Sequence, residues 1–543
     1  MNGLMMNYQL TLPAILRRAE TLYGPKELVS ELPGKGCHRY TYRDMVGRAK
    51  RLAVALRELG VRPGDRVATL CWNHHQHLEA YFGITAAGAV LHTLNLRLHP
   101  DDLAYVVNHA ADSVIVVDEV LLPLLEKFRD RVSPRHVVVI SAERDVPPGT
   151  LDYEQLLAAA DEDRFHYPDL DEKQAAALCY TSGTTGQPKG VLYSHRALAL
   201  HSLAMALGDA FAIREADVVF PVVPMFHANG WGLPFVCTMV GAKQILTGPH
   251  FDVAQILSLL HGERVTLAAG VPTIWLGVLQ QLDREPRAYD LSSLRAVLIA
   301  GSAAPRSVIE GFQERHGIRM LQLWGMTEMA PLGTVCYLPS DLCQACPEDQ
   351  YTYRARQGIP VPFIEIRARG AQGLVPWDGR SAGELEVRGP WVAGAYYNCP
   401  EAAGSFTDDG WFRTGDIVTI DARGCIEIQD RAKDVIKSGG EWISSVALEN
   451  ALMGHPAVAE AAVVGVAHPK WQERPLAVVV LKEDQACTAE DLLAHLAPRF
   501  ARWWLPDDVV FVTEIPRTSA GKFLKKALRE KFRDHLRDET GRG

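Results

Sequence analysis

Residues 180–190 read YTSGTTGQPKG, and no other stretch constrains this chain as strongly. They follow the apolar run 175–179 and combine three glycines, four Ser/Thr hydroxyls, a proline and a lysine. An apolar run emptying into a Gly/Ser/Thr loop that ends in Lys189 has the form of an anion cradle. Glycines let backbone N–H groups close on phosphate oxygens, hydroxyls add donors, and the lysine brings a mobile positive charge. Walker A spacing is excluded, because Lys189 is followed by Gly190 rather than by Ser or Thr. Taken alone, the composition also suits a plain surface loop.

A chain of 543 residues exceeds one ordinary core, so two to four structural units are expected. With 48% hydrophobic and 22% charged residues it reads as a soluble globular protein. Its net charge of −9 argues against nucleic acid as a partner. The start, MNGLMMNYQL, lacks the charged region and apolar core of a signal peptide. The most apolar stretch, 231–246, is broken by glycines and Lys243 and is too short to span a bilayer. Ten scattered cysteines suit a reducing compartment, and the expected location is cytoplasmic. Cys343 and Cys346, with Cys336 nearby, lack a second ligand pair at zinc spacing and are read as ordinary thiols.

Along the chain, 41–59 predicts an amphipathic helix capped by Thr41 with Asp44 three residues on and stopped by Gly60. A strand at 66–71, a helix at 77–87, a helix after Pro100 and a strand at 114–117 follow. This alternation predicts α/β layers with largely parallel sheets. After the loop, a helix opens at Ser194 and runs to about Leu207, which would bring a helix N-terminus near the bound anion. The segment 220–227 is apolar until its last residue, His227, which alone reads as a core or rim histidine. Strands at 265–271 and 295–300 end in small-residue turns, the second being GSAAP at 301–305, with room for a flat ring against the backbone. Residues 383–390 alternate as an edge-like strand. Beyond 430 come a helix at 445–453, strands at 459–466 and 476–481, a helix opened by Thr488, and a strand at 509–511: a compact α+β unit. The tail 525–542 reads as a solvated helix face.

The loop at 180–190 resembles the phosphate-binding signature of the adenylate-forming superfamily, which includes acyl-CoA synthetases, luciferases and peptide-synthetase adenylation domains. Four further segments are similar to that family's signatures, in its order: LQLWGMTE at 321–328, WFRTGD at 411–416, DRAKDVIKSGGEWIS at 430–444 and PRTSAGKF at 516–523. The phrases VVPMFHANGW and IPRTSAGKFLKKALRE look most like bacterial medium- and long-chain fatty acyl-CoA synthetases. The resemblance implies a large α/β N-terminal domain of layered sheets and helices, 1–432, and a small mobile α+β C-terminal domain, 433–543, joined at a hinge.

It also implies an ATP-dependent carboxylic acid:CoA ligase that forms an acyl-adenylate and then a thioester. Its partners would be a carboxylic acid, ATP and CoA, with Mg2+ as cofactor and a homodimer as the assembly. By resemblance, Thr181, Ser182, Gly183, Thr184, Thr185, Gly186 and Lys189 hold phosphates. Gly301, Ser302, Ala303, Gln322, Leu323, Trp324, Gly325, Met326 and Thr327 form the nucleotide pocket, with Trp324 stacking on adenine. Asp416 and Arg431 bind ribose, Lys433 is the hinge and borders the nucleotide with Lys437 and Trp442, and Thr181 with Glu328 holds the metal. Phe226, His227 and Trp231 line the acyl site, Trp231 as a gate, while Gly440, Trp471, Arg502 and Trp503 face CoA. Lys522 is the catalytic lysine, with His227 orienting or gating. Gly230 and Gly232 leave space around Trp231 that larger residues would fill. Two rival readings stand beside this one. The same chemistry could act on a short acid such as 3-methylthiopropionate or on an aryl acid. The other rival is an inactive nucleotide-binding regulator.

Overall fold

The computed structural model describes all residues except 2, 33–35, 142–145, 182–186, 250–251, 439–440, 470, 484, 518–522, 534 and 537–543, and the side chains of 441 and 442. Apolar runs such as Asp112–Asp118 and His136–Ile140 have no alternation, so both of their faces must be covered. They belong to a seven-stranded sheet, parallel but for one antiparallel edge: the hairpin of Ala175–Tyr180 with Gly190–Ser194. A nine-stranded sheet has a parallel core of six strands and antiparallel strands at both ends.

Helices Leu12–Tyr23, Tyr42–Glu58, His75–Ala86, His195–Ala206 and Leu233–Val240 contribute to one hydrophobic core with the facing residues of both sheets. Separate clusters cover each sheet's other face. The capping box holds as expected: Asp44 N donates to Thr41 Oγ1, and Asp44 Oδ2 accepts from Thr41 N at 2.9 Å. A five-stranded antiparallel sheet packs its apolar side into the same core. Gly383–Arg388, expected at an edge, pairs on both sides and lies in the middle of that sheet. Its alternation comes from Glu386, a fully buried carboxylate that binds Arg367 and Arg369 of the neighbouring strand. Buried charge there imitates a solvent-facing pattern.

The C-terminal part is a second unit. Strands Val458–His468, Gln472–Leu481, Ile436–Ser438, Glu441–Ile443 and Asp508–Phe511 form its sheet, and helices Ser445–Met453, Ala489–Leu496 and Lys525–Lys531 complete it. It has its own two clusters, one on each face of the sheet. The molecule is thus a large α/β body with a small α+β one. Helix Lys525–Lys531 is only in part the solvated face expected from its charges: Lys526 and Glu530 are exposed, but Lys525 turns inward with 11% of its side chain exposed and Leu528 is buried. Among the described residues no helix is long and apolar enough to cross a membrane.

Candidate active site

In an open parallel sheet, helix N-termini and loops gather at the carboxyl ends of the strands, and ligands bind there. Strands Val218–Pro221, Leu267–Gly270, Ala296–Ile299 and Met320–Gly325 of one sheet and Ala175–Tyr180 of the other empty into one cavity of about 850 Å³. A smaller chamber of about 230 Å³ adjoins it, sharing Gly301, Leu323, Trp324, Gly325 and Arg431 as wall.

The large cavity has two characters. One wall is apolar: Val222, Phe226, Trp231, Ile274, Ala300 and Leu332. The other carries Thr181, Lys189 and Glu328, with Arg97, Arg413, Arg431, Lys433 and Arg517 around them. Cations outnumber the acids Glu328, Glu384 and Asp434, on a chain that is acidic overall. Such a local field favours a polyanion. The two ends of the loop are closed by Thr181 N donating to Lys189 O at 2.9 Å and Lys189 N to Thr181 Oγ1 at 3.1 Å. Residues 182–186, expected to cradle phosphate, lie outside the described residues. The helix expected beside the loop opens at His195 with Ser194 as its cap, but strand Gly190–Ser194 intervenes. Its N-terminus therefore stands roughly 16 Å away along that strand, beyond reach of the anion.

Glu328 Oε1 accepts from Tyr396 Oη at 2.6 Å, and the Lys189 ammonium sits over the Tyr396 ring, 5.0 Å from its centroid. Tyr396 also lines the cavity. Sequence reading missed it, since no motif or period marks the Tyr-Tyr pair at 396–397.

Asp416, on strand Phe412–Ile420, is buried; its Oδ2 accepts from Trp324 Nε1 at 2.9 Å and its Oδ1 pairs with Arg431 Nε at 2.6 Å. A carboxylate has about four acceptor positions, so two more donors can be taken. Gly301, Ser302 and Ala303 line the small chamber opposite Trp324 and Asp416; Met326 and Thr327 line the large one. Lys433 lines the large cavity too, where burial, chiefly, lowers its pKa.

Not every expected residue arrives. Gln322 lies outside both cavities, its amide used by Ala304 N and Ala355 O, each at 2.9 Å. Lys437 lies in a separate groove with Lys526, Arg529 and Arg533, its side chain turned outward by the alternation of strand Ile436–Ser438. Trp471 and Trp503 stand at the surface, each 42% exposed. Gly440, Lys522 and the Trp442 side chain lie outside the described residues, although Arg517 and Phe523, which bracket Lys522 in sequence, line both chambers.

Trp231 is held by a turn of unusual backbone. Asn229, Gly230, Trp231 and Gly232 all have positive φ, between 38° and 74°. Gly232 is not leaving space: a Cβ there would lie 2.6 Å from His201 Cε1. The expectation of open room around Trp231 is corrected to a tightly packed left-handed turn. Cys343 and Cys346 are exposed thiols, and Cys336 is buried, donating to Tyr353 O at 3.2 Å.

Comparison with known proteins agrees with this geometry. Residues 17–397 match the AMP-binding enzyme family and 447–522 match the AMP-binding enzyme C-terminal domain. A long-chain-fatty-acid–CoA ligase of Thermus thermophilus is 51% identical, over 98% of this chain and 97% of its own length. A 3-methylmercaptopropionyl-CoA ligase of Ruegeria pomeroyi is 43% identical over 99% of this chain and 100% of its length. The crystal structure of an anthranilate CoA ligase with anthranoyl-AMP superposes with a TM-score of 0.86 at 26% identity, covering 98% of this chain and 99% of that one. The chain belongs to the AMP-binding enzyme family, within the adenylate-forming superfamily. It is an AMP-forming acid–thiol ligase, joining a carboxylic acid to CoA at the expense of ATP.

Proposed function

We propose that the acid is a medium- or long-chain fatty acid. The observation that carries this reading is that one cavity is lined both by the apolar residues Phe226 and Trp231 and by the cations Lys189, Arg413 and Arg431. An alkyl tail along the first wall would leave its carboxylate beside the second. The Thermus thermophilus relative points the same way. The second reading, a short thioether acid, is favoured by the Ruegeria pomeroyi relative.

A carboxylate is a poor acyl donor, so its oxygen first attacks the α-phosphorus of ATP and pyrophosphate leaves. Catalysis of such a step is positioning plus stabilisation of charge on the phosphoryl oxygens. In this reading the 181–189 loop binds the β- and γ-phosphates and Asp416 takes the ribose hydroxyls on its two remaining acceptor positions. The adenine lies between Trp324 and the backbone of 301–303. Lys522 supplies positive charge at the α-phosphate and the incoming carboxylate, while His227 borders the acyl group. Glu328 and Thr181 are hard oxygen donors that fit Mg2+, as does a site shared with substrate phosphates; when bound, the ion would neutralise charge on the triphosphate oxygens. The CoA thiol then attacks the acyl carbonyl of the mixed anhydride, expelling AMP; its intrinsic nucleophilicity lessens the need for a strong base. Lys522 would vacate the site for this step by rotation of the 433–543 unit about Lys433, the face expected to carry Gly440 and Trp471 then meeting CoA.

The deciding experiment measures pyrophosphate release and thioester formation with acids from C3 to C16 plus methylthiopropionate and cinnamate. An optimum at medium or long chains supports the reading. An optimum at a short or aryl acid replaces the substrate and keeps the chemistry, and absence of pyrophosphate with every acid overturns both in favour of a nucleotide-binding regulator.

A further inference from the structure

Helix Ser445–Met453 supplies part of the wall of the small chamber. Val446, Glu449, Asn450 and Met453 line it, at offsets of three, four and seven residues, so a single face of that helix is turned to the space. Asn450 is half-buried on this face. The Trp324 ring and residues 301–303 line the same chamber.

What this wall offers a ligand depends on which of its polar groups are already used. Asp416 is paired with Arg431, Glu449 with Lys525 and Glu460 with Arg517. Asp430 accepts from Ser445 and Asp434 from Arg529, and the Gln357 amide is bonded to Ile428 N and Ala355 O. Among the described residues, Thr273, Ser302 and Asn450 are the polar side chains of this wall that carry no hydrogen bond within the fold. All three are neutral. A hydroxyl has one proton to give, whereas the Asn450 amide sets two N–H donors beside a carbonyl acceptor. A 6-aminopurine edge has the complementary pattern, an amino donor next to a ring-nitrogen acceptor, and amide side chains pair with it through two hydrogen bonds. On a 6-oxopurine that amino donor becomes a second acceptor, so one of the two bonds is lost whichever way the amide turns.

We infer that Asn450 is the nucleobase-reading residue of this chamber, bonding the 6-amino group and an adjacent ring nitrogen of adenine and so setting the preference for ATP over 6-oxopurine triphosphates. The inference rests on the placement of the base between Trp324 and residues 301–303. It gives a nucleotide contact to a residue outside every signature segment, six positions beyond the one that ends at Ser444. Stacking on Trp324 cannot make this selection, because every base presents a π face.

The test uses the full chain with its Asn450→Leu, Asn450→Gln and Trp324→Ala variants, titrated calorimetrically with AMP and with IMP in the absence of acid and CoA. The wild type is expected to bind AMP about 10- to 100-fold more tightly than IMP, the discrimination of one bidentate amide–adenine pair. Asn450→Leu brings the two affinities together by weakening AMP and leaving IMP, while Asn450→Gln, which keeps the amide, retains a preference for AMP. The ratio is read within each protein, so a variant with a weakened fold loses both nucleotides alike and does not imitate this result. Equal affinity of the wild type for AMP and IMP overturns the inference, as does an AMP preference unchanged in Asn450→Leu or an equal weakening of both nucleotides there. Trp324→Ala separates the two failures: AMP affinity falls if the base lies in this chamber, and an unchanged affinity overturns the placement and the inference with it. A wild type that binds AMP but releases no pyrophosphate with any acid sinks the functional reading instead, and the AMP-to-IMP ratio still judges Asn450.

Discussion

Tyr396 shows how much of this site depends on a single contact. Its hydroxyl is a donor to Glu328, and hydrogen bonds to charged groups contribute about 1.5–3 kcal/mol. Tyr396→Phe is expected to lower kcat of pyrophosphate release roughly 10-fold or more on that scale and to raise the Mg2+ concentration giving half-maximal rate. A magnesium titration of both proteins checks it, and coincident curves would remove Tyr396 from the site. Asp416 teaches a related point. The Gly-Asp pair at 415–416 reads equally well as a turn in sequence, but the aspartate sits inside a strand, buried, with Trp324 and Arg431 as partners. Neither partner is within 14 residues of it in sequence, so no local pattern can report the arrangement.

At the scale of elements, the left-handed turn at 228–232 carries Trp231 into the cavity wall. Gly232→Ala would add a methyl against the His201 ring at a φ of 74°. A substitution combining strain and overpacking costs about 1–3 kcal/mol, so a lower denaturation midpoint is expected together with a raised KM for the acid and an unchanged KM for ATP. An unchanged midpoint would mean that the turn relaxes freely. Trp231→Ala, at the same turn, is expected to shift the chain-length optimum towards longer acids, read from kcat/KM over the same panel. The helix after the phosphate loop misleads for a physical reason: Ser194 caps it as its residue type promises, but a strand of five residues carries the cap away from the loop.

For the whole molecule, two predictions follow from charge. In the proposed mechanism Lys522→Ala removes a cation from the α-phosphate; losses of 100- to 1000-fold are typical of such electrostatic groups, roughly what is expected for adenylation, with thioester formation from supplied adenylate spared. Equal loss in both half-reactions would assign Lys522 a general role. The second concerns acid. Burial lowers His77 and His201 to about 3 and His195 to about 4. Folded, they stay neutral; unfolded, they take up protons below about 6.5. Their contribution is present above that pH and is lost as pH falls through 6.5 towards 3–4. Glu79 and Glu449 run the opposite way: raised by burial to about 7, they hold protons in the fold that the unfolded chain releases above 4.5, so their contribution is lost as pH rises from 4.5 to 7. Denaturation free energy is therefore expected to fall gently between pH 6.5 and 4.5, where the two sets oppose, and steeply below. Urea titrations across pH test this, and a steep fall already at pH 6 would contradict it.

The sequence by itself determined the layered α/β body, the small α+β unit, the course of those elements that carry a clear cap or apolar run, the family and the ligase chemistry. Apolar runs, caps such as Thr41 and Thr488, and the loop motifs are local signals, read within a few residues. Only the tertiary structure decided that Glu386 stands mid-sheet, that Gln322 serves packing, that Tyr396 reaches Glu328 and that Lys525 is buried against Glu449. Each of these depends on a charge or hydroxyl meeting a partner far along the chain. A residue's type announces what it can bond to, whereas burial and the path of the backbone select which partner it meets.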